Sequence, residues 1–244
     1  NVNAGHYYPV TVEATNTAGT VTTVNDNDGT VGNSLKLVVK EKVKPTISIT
    51  SPGAGAYVIN NKQPIVFQLR DEAGGSGINI DSLVLKIDGG TSIGKSSPGM
   101  VCTPVTNGYD CTYTPPTALA DGAHTVTINA SDFDGNVATQ ASRTYTVDTV
   151  PPVLNVTSPS NGFITNIAAL VVQGSTNDAT SSPVTVSIKL NGVDQGTVNV
   201  DGNGNFSKSI TLANGANTIV VTAKDAANRE TVVTINGTLD TSAP

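Results

Sequence analysis

The sequence predicts an all-β chain made of tandem β-sandwich domains, and three observations carry that prediction. First, one stretch occurs three times: Gly122 to Asn136 (GAHTVTINASDFDGN), Gly215 to Arg229 (GANTIVVTAKDAANR) and His6 to Thr20 (HYYPVTVEATNTAGT). In each copy apolar residues alternate toward an alanine: Tyr8/Val10/Val12/Ala14, Val126/Ile128/Ala130 and Ile219/Val221/Ala223. Two residues after the alanine come Asn16, Asp132 or Asp225, followed by a turn, so each copy reads as a strand feeding a hairpin. The copies are 116 and 93 residues apart, a domain-sized spacing rather than that of a short-repeat solenoid. Second, no stretch sustains a helical period, so essentially no helix is expected. Third, 24 Gly and 13 Pro among abundant Thr, Val, Asn and Ser describe short strands with frequent turns.

Taken in order, residues 1–43 hold the repeated strand, a long polar loop (Val24 to Asn33) and a second strand, Ser34 to Val39. They read as the C-terminal part of an incomplete domain. A two-stranded ribbon is marginal in water, so the missing strands are expected upstream or from another chain. The chain begins at Asn1 without an initiator Met or signal peptide, as a processed product or a fragment would. The next unit opens with Pro45-Thr-Ile-Ser-Ile-Thr-Ser-Pro52, and the opening returns 107 residues later as Pro152-Val-Leu-Asn-Val-Thr-Ser-Pro159. This period sets complete units at 44–149 and 150–244. Proline at each linker fixes φ and stiffens the connection, so the units are expected to line up as an elongated, semi-rigid rod.

Within the middle unit strands are predicted at 46–50, 64–70, 82–87, 100–104, 109–114, 123–131 and 138–147. In the last they fall at 153–157, 168–174, 184–190, 195–200, 205–212, 217–224 and 231–239. Asn191-Gly192 and Asp201-Gly202-Asn203-Gly204 supply hairpin turns, because Gly and Asn accept positive φ. Seven short strands in about 100 residues are the pattern of an immunoglobulin-like sandwich, here without the Cys…Trp…Cys core of antibody domains.

Several motifs make the likeness specific: Asp121-Gly-Ala-His124 and Asn214-Gly-Ala-Asn217 before the sixth strand, Ser131-Asp-Phe-Asp-Gly-Asn136 after it, and Asp148-Thr-Val-Pro-Pro152 at the exit, repeated as Asp240-Thr-Ser-Ala-Pro244. The chain thereby resembles the tandem bacterial Ig-like domains found in cell-surface repeat adhesins and as accessory modules of secreted carbohydrate-active enzymes. The resemblance implies a structural spacer or stalk segment of a secreted or cell-surface protein. Its partners would be neighbouring domains of a longer chain or neighbouring subunits. Two other readings stay open: a polymer subunit that completes its partial first domain by β-strand addition, and a module gripping a surface glycan or protein. For the last, Tyr7, Tyr8, Tyr57, Tyr109, Tyr113 and Tyr145 are too dispersed to form an aromatic platform.

Charge and composition exclude other classes. A net charge of −6 argues against nucleic acid, whose phosphates need clustered Lys and Arg. No apolar run approaches the roughly 18 residues of a membrane-spanning helix. The two histidines, His6 and His124, occupy the repeated strand entrance where the last copy has Gly215 and Asn217, so they read as turn or strand side chains. With no nucleophile constellation and no phosphate-cradling loop before a helix, no enzyme activity is expected. Cys102 and Cys111 flank a predicted hairpin turn at Asn107-Gly108. A local disulfide in an oxidising, extracytoplasmic setting is the expectation, and a free buried pair the alternative. The triplets beginning at Asn129, Asn155, Asn205 and Asn236 fit a glycosylation sequon, as Asn- and Thr-rich chains do by chance.

Metal binding is the sharper expectation. In a seven-strand sandwich the loops after the second and sixth strands share one end with the incoming linker. In the middle unit these three places hold Glu41, Asp71 with Glu72, and Asp132 with Asp134; in the last they hold Asp148, Asp178 and Asp225. Asp148 follows Glu41 at the 107-residue period, so both linkers bring an acid. Carboxylates converging from three segments suit Ca²⁺, which takes 6–8 oxygen ligands at roughly 2.3–2.6 Å, and the family resemblance implies calcium stiffening between domains. The alternative is ordinary loop capping of backbone N–H groups by Asp. Asn25-Asp-Asn-Asp-Gly29 lacks the later bidentate Glu of a calcium loop and reads as a turn.

Overall fold

The fold is that of a computed structural model, which describes residues 7–9, 11–24, 36–38 and 40–242, with the backbone alone at 7–9, 24 and 36–38. His6 and the Asn25–Gly29 segment lie outside the described residues. All regular structure among those described is strand.

The first segment forms two small ribbons. β1 (Tyr7–Pro9) pairs antiparallel with β4 (Lys36–Val38), and β2 (Val12–Thr15) pairs antiparallel with β3 (Val21–Val24). The single strand expected through 6–14 is therefore two strands with different partners, and β3 went unforeseen. Its cause is local. The Asn16 side chain accepts hydrogen bonds from the N–H groups of Ala18 and Thr20, at 3.0 and 2.9 Å, and the β-branched run from Val21 folds back along β2. All four β2 side chains are exposed.

The middle sandwich comprises β5 (Thr46–Ser51), β6 (Tyr57–Val58), β7 (Ile65–Arg70), β8 (Ile78–Ile87), β9 (Met100–Val105), β10 (Gly108–Tyr113), β11 (Gly122–Asp132) and β12 (Ala141–Val147). Its sheets run β5-β7-β10-β9 and β6-β12-β11-β8. The period of two decides which face is inside: Ile65, Phe67 and Leu69 of β7 are fully buried, as are Val126 and Ile128 of β11. β9 and β10 turn at Asn107, whose φ of 58° is the left-handed conformation that asparagine tolerates. Across this hairpin Cys102 pairs with Cys111 in register and is joined to it by a disulfide, with Cα atoms 4.1 Å apart.

The last sandwich comprises β13 (Val153–Ser158), β14 (Phe163–Thr165), β15 (Ala169–Asn177), β16 (Thr185–Leu190), β17 (Val193–Asp194), β18 (Asn205–Thr211), β19 (Gly215–Lys224) and β20 (Glu230–Leu239). Sheets β13-β15-β18 and β14-β20-β19-β16-β17 enclose a core that includes Val172, Ile188, Phe206, Ile219, Val221 and Ile235. The strand predicted at 195–200 does not form. Asn191-Gly192 turns the chain as expected, but Asp194 Oδ1 then accepts the Gly196 N–H at 2.6 Å and bends it away after two residues. Val198 still reaches the interior, from a loop.

Both sandwiches repeat two devices that the sequence pattern hides. A register shift falls between Ile49 and Ser51 in β5, and again between Val156 and Ser158 in β13. Beyond it the chain crosses to the other sheet as β6 or β14, pairing in parallel with β12 or β20. At two and three residues these strands are too short to show alternation. By contacts the chain divides into two compact units: Asn1–Ala54, Lys62–Thr117 and Thr125–Thr144 form one, and Gly55–Asn61, Ala118–His124 and Tyr145–Pro244 the other. One acidic group lies in each.

Candidate metal centres

The first group is assembled by the segment before β5, the β7–β8 loop and the end of β11. β7 runs buried to Leu69, so the next in-facing position is Asp71, only 8% exposed. β11 runs buried through Ala130, which puts Asp132, 1% exposed, on the same inward face. Glu41 arrives from the linker, and ligand oxygens of Glu41, Asp71 and Asp132 lie within 4.8 Å of one another. Glu72 completes the group: its carboxylate lies with that of Asp71 against Gly75, where a Cβ would collide with both.

The surrounding donors hold these acids in place and leave one oxygen bare on each of Glu41, Asp71 and Glu72. Gly77 N–H donates to Asp71 Oδ2 at 2.6 Å. Asn136 donates its backbone N–H to Asp132 Oδ1 (2.8 Å) and its amide to Asp132 Oδ2 (2.7 Å) and to the Glu41 carbonyl (3.1 Å). Ser76 Oγ donates to Glu41 Oε1 at 3.2 Å. Glu41 Oε2, Asp71 Oδ1 and Glu72 Oε2 are buried with no hydrogen-bond partner. Such bare acceptors cost free energy unless something positive meets them.

Electrostatics follows from this crowding. Burial, then contact with the Glu72 and Asp132 carboxyls, pushes Glu41 up to about 7. Burial likewise raises Asp71, against the lowering effect of the Gly77 N–H. Glu72 is lowered, chiefly by its contact with the Glu41 carboxyl, against the opposing effect of burial. Burial would raise Asp132, but the two hydrogen bonds from Asn136 prevail and lower it. The described ion pairs Arg70–Asp110, Lys95–Asp81 and Lys224–Glu230 all lie elsewhere. Asp134 serves the linker instead. Its Oδ2 accepts the Glu41 N–H at 2.9 Å, pinning the linker to the loop after β11.

The second group repeats the plan with fewer acids. Ligand oxygens of Asp148, Asp178 and Asp225 also lie within 4.8 Å of one another. Asp148 is fully buried and Asp225 nearly so. Asp148 Oδ1 accepts from Val150 N–H at 3.1 Å and Asp148 Oδ2 from Ser181 Oγ. Asp178 Oδ1 accepts the N–H groups of Thr180 and Ser181, both at 2.8 Å, and Asp225 Oδ1 that of Arg229 at 2.8 Å. Asp225 Oδ2 is buried without a partner.

Six of the eight acids singled out from sequence thus form two triads, with Glu72 beside the first and Asp134 in a supporting role. Ser76, Asn136 and Ser181 went unforeseen as supports. Asn136 had a signal, since it stands four residues after Asp132 as Arg229 does after Asp225. In the first centre, four carboxylates, three of them with a bare oxygen, and no cation paired to them among the described residues form a donor set suited to a hard divalent ion. Ca²⁺ is the fit for many carboxylate oxygens.

His124 is a turn lock. Its Nε2 lies 2.8 Å from the Ala120 carbonyl, and Asn217 Nδ2 donates to the Ala213 carbonyl at 2.7 Å in the same position of the last sandwich. Tyr113 and Tyr145 are core residues. An open groove of about 480 Å³ beside Asp201 and Asn203 is rimmed by a self-contained turn, because Asp201 Oδ1 accepts the N–H groups of Asn203 and Asn205. Among the described residues, no helix is long and apolar enough to cross a membrane.

Comparison with known proteins bears on the fold. Residues 57–149 match the family model of a bacterial Ig-like domain, and residues 152–241 that of glucodextranase domain B. No curated protein sequence matches the chain. Among solved structures it is similar to the I-band fragment I67–I69 of titin, at 13% identity over 82% of this chain and 66% of that one, TM-score 0.51. It is also similar to the fibronectin(III)-like modules of CbhA from Clostridium thermocellum, at 16% identity over 80% of this chain and 94% of that one, TM-score 0.44. At 13% identity the likeness to the titin fragment shows the fold alone.

Proposed function

We propose that this tandem of bacterial immunoglobulin-like sandwiches is a non-catalytic spacer of a secreted or cell-surface protein, an adhesin among the candidates, stiffened by calcium where the chain enters each sandwich. The observation that supports it is the set of bare, buried oxygens of Glu41, Asp71, Glu72 and Asp225. Glu41, Asp71, Glu72 and Asp132 would hold the first ion, and Asp148, Asp178 and Asp225 the second. Bound calcium supplies the positive charge that lets these carboxylates stay together ionised. The chain supplies the restraint: Glu41 belongs to the linker, Asp71 and Glu72 to the β7–β8 loop, and Asp132 to the end of β11, so fixing them fixes three segments. Gly77, Ser76 and Asn136 orient the carboxylates before any ion arrives. The disulfide between Cys102 and Cys111 supports an oxidising, extracytoplasmic location.

Small-angle X-ray scattering of the chain with CaCl₂ and then EGTA tests this reading. A longer, stiffer particle in calcium is expected. Identical profiles would remove calcium from the proposal and leave the acids as loop residues. The exposed β2 ribbon favours one second reading, a subunit completed by a strand from a neighbour. A scattering mass that grows with concentration would bring it forward.

A further inference from the structure

We infer that the two acidic centres form a graded pair: the Glu41–Asp71–Glu72–Asp132 centre fills at low calcium and the Asp148–Asp178–Asp225 centre only at higher calcium, with Arg229 setting the difference. This rests on the calcium reading above and deepens it.

The inference comes from superposing the centres through the chain's own repeats. Asp178 and Ala179 follow Asp71 and Glu72 by 107 residues, so the second acid of that loop becomes alanine. Asp225, Ala227 and Arg229 follow Asp132, Asp134 and Asn136 by 93 residues, so another acid becomes alanine and a neutral amide becomes a cation. The backbone bears out the correspondence. Asn136 N–H and Arg229 N–H each donate to Oδ1 of the aspartate four residues before, both at 2.8 Å. Four acids with a neutral Asn136 therefore stand against three acids with Arg229.

Oxygen availability runs the same way. The first centre leaves three buried oxygens bare, on Glu41, Asp71 and Glu72; the second leaves one, on Asp225. In the second centre both Asp148 oxygens already accept hydrogen bonds, from Val150 and Ser181. A cation there competes with donors that are in place, and the residue whose N–H holds Asp225 Oδ1 is a basic arginine where the first centre has a neutral asparagine. Arg229 Nε is itself buried without a hydrogen-bond partner. Fewer ligand charges lower the calcium affinity of an oxygen site by orders of magnitude.

Titration calorimetry of CaCl₂ into the EGTA-stripped, dialysed chain tests the inference. Two steps separated by at least about tenfold in Kd are expected. Asp71→Asn should weaken the tighter step about a hundredfold and leave the weaker in place; Asp225→Asn should do the reverse. Arg229→Asn should tighten the weaker step about tenfold and leave the tighter one in place. Ala179→Glu, an independent change that restores the missing acid, should act in the same direction. Two steps of equal affinity, or a weaker step unmoved by both Arg229→Asn and Ala179→Glu, would overturn the grading while leaving calcium binding intact. The absence of any heat, with melting unchanged at millimolar CaCl₂, would overturn the calcium reading and the grading together.

Discussion

Replacing Asp71 by asparagine should reverse its effect on stability with the presence of calcium. The structure supplies the reason. Asp71 Oδ2 accepts the Gly77 N–H, and an asparagine oxygen keeps that bond, whereas Asp71 Oδ1 is buried and bare beside the Glu41 and Asp132 carboxylates. Asparagine places an N–H donor there. Two unit charges at the 4.8 Å limit of the cluster repel by about 3 kcal/mol at an effective dielectric near 20. Solvent screening of the partly exposed Glu41 reduces this, so a gain of about 2 kcal/mol is expected in EGTA at pH 8, where Glu41 is ionised. In a 1,000-fold excess of calcium over Kd, the parent chain gains about 4.1 kcal/mol, and a variant binding a hundredfold more weakly about 1.4. The variant then trails by about 0.7 kcal/mol. Calorimetric melting in EGTA and in CaCl₂ reads both arms. For a domain of about 100 residues the expected changes are roughly +10 °C and −4 °C. A change of the same sign in both buffers would refute the argument, because it would mean that Asp71 acts through packing alone.

Other substitutions probe the scaffold. Reducing Cys102–Cys111, or replacing both by alanine, should lower stability in urea by about 2–3 kcal/mol, the loop-closure value for ten residues; an unchanged midpoint would show that the β9–β10 hairpin needs no staple. Ile219→Ala should cost about 3–4 kcal/mol, since the side chain is fully buried in the last core, and should leave the tighter calcium step untouched. Gly237→Ala should cost at least about 1–3 kcal/mol, because its Cβ would be built into the Phe163 ring. Phe163→Leu in the same chain should recover part of that loss.

The alternation toward Ala14, Ala130 and Ala223, together with the 107-residue return of the Pro-x₆-Pro opening, made the sandwich class and the order of most strands legible from the sequence. The segments that carry the acids were legible for the same reason. Alternation fixes which residues face inward, and the strand ends that follow, at Asp71 and Asp132, inherit that direction. These are local signals, carried by neighbours along the chain. Tertiary structure decided the rest. The two-residue β6 and three-residue β14 exist because the sheet beside them offers an edge, not because their own sequence demands a strand. The strand expected at 195–200 yielded to the turn that Asp194 and Gly196 impose. Asp134 left the ligand set because the Glu41 N–H, 93 residues away in the chain, needed an acceptor. Which carboxylate oxygens remain bare is likewise set by donors from distant segments and by exclusion of water, and neither leaves a pattern among adjacent residues.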